Sequence, residues 1–109
     1  MAIFQPHLYS RTKALADEFG AALAVADEVV VLDVYPAREE PVGELAGVSG
    51  RQVAEAAADR AGGRPVWWLP EAEQAASAFG PRLAEGEILV TIGAGDIWEL
   101  AERLVEEGR

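Results

Sequence analysis

The chain has 109 residues, half of them hydrophobic, and carries a net charge of −10 at neutral pH; that length fits one domain with one core, and the acid excess opposes nucleic acid and anionic membranes, whose phosphates it would repel. With no cysteine and one histidine, disulfide frameworks, thiolate metal sites and histidine-cluster metal sites are excluded. No apolar run approaches the roughly 18 residues of a membrane span, and Met1–His7 lacks the basic region and apolar stretch of a signal peptide, so the expectation is a soluble cytoplasmic domain.

In chain order, Ala2-Ile3-Phe4 reads as a short strand, closed by Pro6 because proline removes a ladder donor. The nonapeptide Phe4-Gln5-Pro6-His7-Leu8-Tyr9-Ser10-Arg11-Thr12 then joins that strand to a helical pattern. In a strand–loop–helix unit this is where ligands are met. His7 is the only histidine and Tyr9 one of two tyrosines. Arg11 falls in the first helical turn, where a cation opposes the helix dipole, which implies an anion nearby. The competing reading is a helix start capped by Ser10, with His7 and Tyr9 packed on loop backbone. The helix is expected from Arg11 to Val25, with Leu15, Phe19, Ala22, Leu23 and Ala26 recurring at three and four.

A second strand begins near Glu28. Val29-Val30-Val31-Leu32 is continuously apolar, the mark of a strand covered on both faces. Asp33-Val34-Tyr35-Pro36 leads outward into a loop, Ala37–Ser49, that is long for a small domain. Glu39-Glu40 within it reads as a solvated pair. Ser49 is placed to cap a helix from Gly50 to Ala61 with Val53, Ala54, Ala57 and Ala61 inward, and Gly62-Gly63 stops it. Val66–Leu69 is the third strand, and its adjacent Trp67 and Trp68 must point to opposite faces. A short helix, Glu71–Phe79, ends at Gly80-Pro81, and Arg82–Gly86 is a surface turn or a last helical fragment. Ile88–Ile92 is the fourth strand. Gly93-Ala94-Gly95 follows, and Asp96 caps a last helix, Ile97–Glu106, with Leu100, Ala101, Leu104 and Val105 inward and Trp98 flanking.

Strands alternating with helices favour parallel pairing. The fold expected is an α/β, three-layer Rossmann-like sandwich with a mostly parallel sheet of about four strands in the order 3-2-1-4. Its switch point lies between strands 1 and 4, so the His7 loop and the Gly93–Gly95 loop should share one crevice. Gly93-Ala94-Gly95-Asp96 is not the dinucleotide fingerprint, since Trp98 stands where a third glycine is needed. Tight-turn geometry is favoured over an anion cradle, because Asp96 at its mouth would repel phosphate. No P-loop and no nucleophile elbow occur anywhere in the sequence.

The nonapeptide, Asp33-Val34-Tyr35-Pro36-Ala37-Arg38-Glu39, Ser49-Gly50-Arg51 and Gly93-Ala94-Gly95-Asp96-Ile97 follow one another at spacings that resemble the C-terminal domain of the Mur ligases. Within that family the resemblance is to the branch that joins L-alanine to UDP-N-acetylmuramate, and it covers residues 1–109. It implies a three-domain ATP- and magnesium-dependent ligase of peptidoglycan synthesis, which activates the muramoyl carboxylate as an acyl phosphate for attack by the amine of alanine. This domain would close over ATP and help bind the amino acid, with the N-terminal and central domains as its partners. On that resemblance His7 and Arg11 lie beside the amino-acid or product carboxylate, and a guanidinium suits this by bidentate bonding. Tyr9, Ser10, Asp33, Tyr35, Arg38, Arg51, Gly93, Gly95 and Asp96 are the further ligand-face residues; no catalytic residue or metal ligand is expected in the chain itself. Two departures stand out. Leu8 replaces an arginine frequent in the family, leaving Arg11 as the main anchor. The family's Asp-Tyr-[Ala/Gly]-His-His-Pro segment and its helix do not precede the first strand, so the chain reads as a fragment with an uncovered sheet face, prone to self-association, inactive alone and without a tightly bound cofactor. A peptide-joining ligase of cell-wall recycling, or a stand-alone non-catalytic binding module, are the alternatives.

Overall fold

A computed structural model describes residues 1–83 and 85–107. Among these, strands β1 (Ala2–Phe4), β2 (Val29–Val31), β3 (Val66–Trp68) and β4 (Val90–Ile92) alternate with helices α1 (Tyr9–Leu23), α2 (Arg51–Arg60), α3 (Ala72–Phe79) and α4 (Ile97–Glu107). The sheet runs β3-β2-β1-β4 with every pair parallel, as the alternation predicts. Short 3₁₀ turns stand at Gly43–Leu45 and Gly80–Arg82.

The strand period of two sorts the core into two layers. Ala2, Val29, Val31 and Trp68 face α1 and α2, where they meet Leu23, Val53, Ala54 and Ala57. Ile3, Val30 and Trp67 face α3 and α4, where they meet Ala75, Phe79, Leu100 and Leu104. The two tryptophans therefore divide between the helix layers. Trp67 sits edge-on to Phe79 with ring centres 4.9 Å apart, and the Arg82 guanidinium lies over both rings.

Three boundaries or faces differ from the sequence reading. Helix α1 starts at Tyr9 and ends at Leu23, and its inner face is Thr12, Ala16, Phe19, Gly20 and Leu23, while Leu15 and Ala22 are exposed. The stripe is rotated because α1 packs on α2 as well as on the sheet. At that crossing a Cβ on Gly20 would lie 2.5 Å from the Ala56 Cβ. Val105 and Trp98 of α4 point outward, and Ile97 takes the inward position. Strand β4 begins at Val90 rather than Ile88. Its Val90 and Ile92 pair with Ala2 and Phe4 on the α1 side, yet remain 46% and 41% exposed, because no described helix covers this face of the edge strand.

Helix α2 meets the end of β2 through Gly50. Its backbone is ordinary right-handed helix, so conformation does not require glycine there. Space does: a Cβ would lie 2.1 Å from the Leu32 carbonyl oxygen and 2.7 Å from the Trp68 ring. The N-cap of α2 is Gly50 rather than Ser49; Ser49, one residue earlier, braces the helix start, its Oγ accepting the Arg51 N–H and its N–H donating to Gln52 Oε1. Gly50→Ala is expected to displace α2 and lower the unfolding free energy by about 1–3 kcal/mol. A urea melt checks this, and an unchanged midpoint would contradict the close approach.

Candidate functional site

The site is assembled where β1 and β2 run past the formal ends of the sheet. Leu32 N–H donates to the Phe4 carbonyl at 2.9 Å, Tyr35 N–H to the Pro6 carbonyl at 2.8 Å, and Leu8 N–H to the Tyr35 carbonyl at 2.9 Å. His7 and Tyr35 form a parallel bridge. Pro6 therefore does not close the pairing; it loses a donor but stays in the ladder as a buried acceptor.

At Leu8 the chain leaves the sheet and enters α1. Leu8 has φ 70, a left-handed conformation unfavourable for a branched side chain. Such strain is of order 1–3 kcal/mol and persists where the surroundings over-determine it. Both Leu8 backbone groups are pinned: its N–H by Tyr35, its carbonyl by the Thr12 N–H at 3.1 Å and the Thr12 hydroxyl at 2.8 Å. Thr12 is fully buried.

Ser10 is not the N-cap of α1. It lies inside the first turn, and its N–H donates to Glu39 Oε1 at 3.0 Å while its hydroxyl donates to Glu39 Oε2. The first turn of α1 has no acidic residue of its own, so Glu39 supplies the negative charge that the helix dipole favours there. The Ser10 hydroxyl, then the Ser10 amide, hold the Glu39 carboxyl below its usual value of 4.5, with smaller help from the Tyr9 amide and the His7 charge. A depressed carboxyl contributes stability above its ordinary range and loses it as pH falls through the lowered value. Lys13 ties the same loop to α1 by donating from Nζ to the Glu44 carbonyl at 2.9 Å.

His7 stacks on Tyr35 with ring centres 6.0 Å apart and an interplanar angle of 29°. Gly95, at φ 81, also approaches Tyr35, and a Cβ there would lie 3.2 Å from the Tyr35 ring. Gly93 closes on the Gln5 carbonyl, 2.9 Å from an added Cβ. The His7 loop and the glycine turn thus meet at one crevice through Tyr35, and both glycines are explained by close packing. Arg11 is exposed, and its side chain makes no hydrogen bond or ion pair with any described residue. Tyr9 opens α1, half-buried.

The remaining sequence candidates divide. Asp33 Oδ1 accepts the Val34 N–H at 2.8 Å and the Gly50 N–H at 3.3 Å, so it braces the start of α2. Arg51 is engaged with Glu55 at 2.8 Å on an exposed helix face. Arg38 is exposed beside Ala37, which has φ 53. Asp96 precedes α4, and its carbonyl accepts the Glu99 N–H at 3.0 Å. It lines a cleft of about 190 Å³ with Gln5, Glu73 and Arg103, among others. The buried Oε1 of Gln5 has no hydrogen-bond partner among the described residues.

Sequence reasoning missed Glu39, treated as solvated, and Thr12. The sequence signals only the need: a helix start with a cation and no acid calls for an anion from elsewhere, without saying which.

No family model matches the chain. Curated relatives do. The chain is 53% identical over 105 residues to UDP-N-acetylmuramate–L-alanine ligase of Mycolicibacterium paratuberculosis, covering 96% of this chain and 20% of the relative. It is 50% identical over 107 residues to the ligase of the same name from Mycolicibacterium vanbaalenii, covering 98% of this chain and 21% of the relative. With that of Mycobacterium tuberculosis it shares 49% over 105 residues, again 96% of this chain and 20% of the relative. The chain spans about a fifth of the length of the curated relatives it matches.

The strained entry into α1 makes Thr12 testable. Thr12→Val keeps the shape and removes the hydroxyl bond to Leu8, which is expected to lower the unfolding free energy by about 1 kcal/mol. Thr12→Ser keeps that bond. Equal stability of the valine variant and the parent chain in chemical denaturation would show that the hydroxyl does not hold the loop.

Proposed function

We propose that this chain, a homologue of one fifth of the UDP-N-acetylmuramate–L-alanine ligases, is the part of such a ligase that meets the incoming amino acid. The full-length protein then joins L-alanine to UDP-N-acetylmuramate at the expense of ATP, in the cytoplasmic synthesis of peptidoglycan. The observation that carries this reading is the nonapeptide. It folds at the switch point of a parallel sheet, with His7 packed on Tyr35 and Arg11 turned to solvent without a partner among the described residues. The relatives' names favour alanine over a peptide as the acceptor, and a ligase domain over a stand-alone module.

The chemistry follows from the two side chains. Arg11 offers a planar fork to the carboxylate of alanine or of the product, and two parallel N–H···O bonds fix its orientation. His7 adds a single donor when neutral, and its ring is held by Tyr35. Holding the carboxylate leaves the amine of alanine free to act as nucleophile. A phosphate cradle and a magnesium site are not offered by the groups described in this chain. The turn at Gly93–Gly95 is closed on Gln5 and Tyr35, and no three carboxylate or imidazole groups converge among the described residues. In the full-length ligase the phosphate cradle and the magnesium ligands would come from the other domains, with this one closing over ATP. Val90, Ile92 and the 77%-exposed Ile88 leave an apolar edge at β4.

Two outcomes follow. In the full-length ligase Arg11→Ala is expected to lower kcat/KM for alanine by roughly 10- to 150-fold, since hydrogen bonds to a charged group contribute about 1.5–3 kcal/mol. Arg11→Lys should recover only part of this, and His7→Ala should act more weakly. Steady-state kinetics at varied alanine beside a thermal melt decides: unchanged alanine kinetics in a folded Arg11→Ala variant refutes the anchor. The 109-residue chain alone should self-associate through the β4 edge, as exposed apolar patches do, and Ile92→Lys should suppress it. Sedimentation velocity reads this; a monomer at every concentration counts against an uncovered edge.

A further inference from the structure

We infer that Glu39 is a positioning residue for amino-acid binding: its carboxylate clamps the first turn of α1 to the loop after β2, and so fixes the arc from His7 to Arg11 in one orientation. The inference rests on the reading that His7 and Arg11 hold the amino-acid carboxylate. Glu39 grips the chain at Ser10 by two bonds, one to the amide at 3.0 Å and one to the hydroxyl. Ser10 is flanked by Tyr9 and Arg11, and His7 lies three residues before it, so this grip stands between the two carboxylate-binding groups. From the other side the arc is pinned by Tyr35, through its carbonyl to Leu8 and its ring to His7. Tyr35 and Glu39 belong to one segment, closed by the turn in which the Glu39 N–H donates to the Pro36 carbonyl at 2.9 Å. One segment thus holds the arc at both ends.

The arc needs such a clamp. Leu8 is strained at φ 70, and a strained backbone relaxes unless its surroundings over-determine it. Arg11, exposed and unpaired with any described residue, gains no orientation from contacts of its own side chain, so its direction is set by the backbone of the first turn. A misplacement of about 1 Å at a binding group costs up to about a hundredfold in rate. Glu39 touches no substrate in this scheme; it acts through Ser10.

The test uses the full-length ligase that carries this chain. Glu39→Gln keeps size and polarity but loses the charge and one acceptor. It is expected to raise KM for alanine roughly tenfold, leave KM for ATP within about twofold and change kcat little. Ser10→Ala removes only the hydroxyl bond and should raise KM for alanine by a smaller factor, while keeping the fold. The Glu39→Gln, Ser10→Ala double variant should be no worse than Glu39→Gln alone, because both act through one contact. An unchanged alanine KM in Glu39→Gln, or effects of the two variants that multiply, overturns the inference. So does an equal rise in both KM values, which marks a general brace. If Arg11→Ala itself leaves alanine kinetics unchanged, the reading beneath the inference has failed instead.

Discussion

The carboxyl edge of this molecule depends on a parallel pairing that continues past a proline. Pro6 has no N–H, yet its carbonyl takes the Tyr35 amide, and the Tyr35 carbonyl then takes the Leu8 amide. The two strands stay in register for one further step beyond β1 and β2. That step fixes where α1 starts, how Leu8 is bent out of the sheet and where His7 meets Tyr35. Without it the nonapeptide would be an ordinary loop, free to choose among backbone conformations. With it, Tyr35 becomes the joint between three segments, since its ring also receives Gly95 from the turn after β4.

Small residues let the surrounding layers come close enough to support that joint. Gly20 admits α2 against α1, and Gly50 admits the start of α2 against the Leu32 carbonyl. Asp33 uses the same proximity to accept the Gly50 amide. The charged contacts are subsidiary in energy but not in placement. Arg64 donates to the Ala24 carbonyl at the far end of α1, where a cation complements the dipole, while Glu39 complements its near end. The helix that carries Arg11 is thus held at both termini by residues distant in sequence.

Much of the fold was legible because its signals are local. The run Val29-Val30-Val31 declares a strand buried on both faces, and Trp67-Trp68 can satisfy a strand only by dividing between the two helix layers. Gly62-Gly63 and Gly80-Pro81 mark helix ends through backbone chemistry alone. The inner face of α1 was misread because Leu15 and Ala22 match the periodicity, and only the approach of Ala56 and Ala57 rotates the stripe toward Thr12 and Gly20. The His7–Arg11 arc was found from residue types and its place after a strand. Glu39 was not, because it lies 29 residues from Ser10 and a tertiary contact across a long loop leaves no periodic trace. Ser10 looked like a cap for the same reason: its hydroxyl does bond at the helix start, but outward to a distant carboxylate rather than to its own helix.

The proposed role of the arc from His7 to Arg11 is to receive the carboxylate of the amino acid being joined. The most direct measurement is a crystal structure of the full-length ligase with UDP-N-acetylmuramoyl-L-alanine bound. With that role the alanyl carboxylate is expected in bidentate contact with the Arg11 guanidinium, at about 2.7–2.9 Å for each bond, with the His7 ring still stacked on Tyr35 beside it. A carboxylate held by residues of another domain, with Arg11 left in solvent, would contradict it.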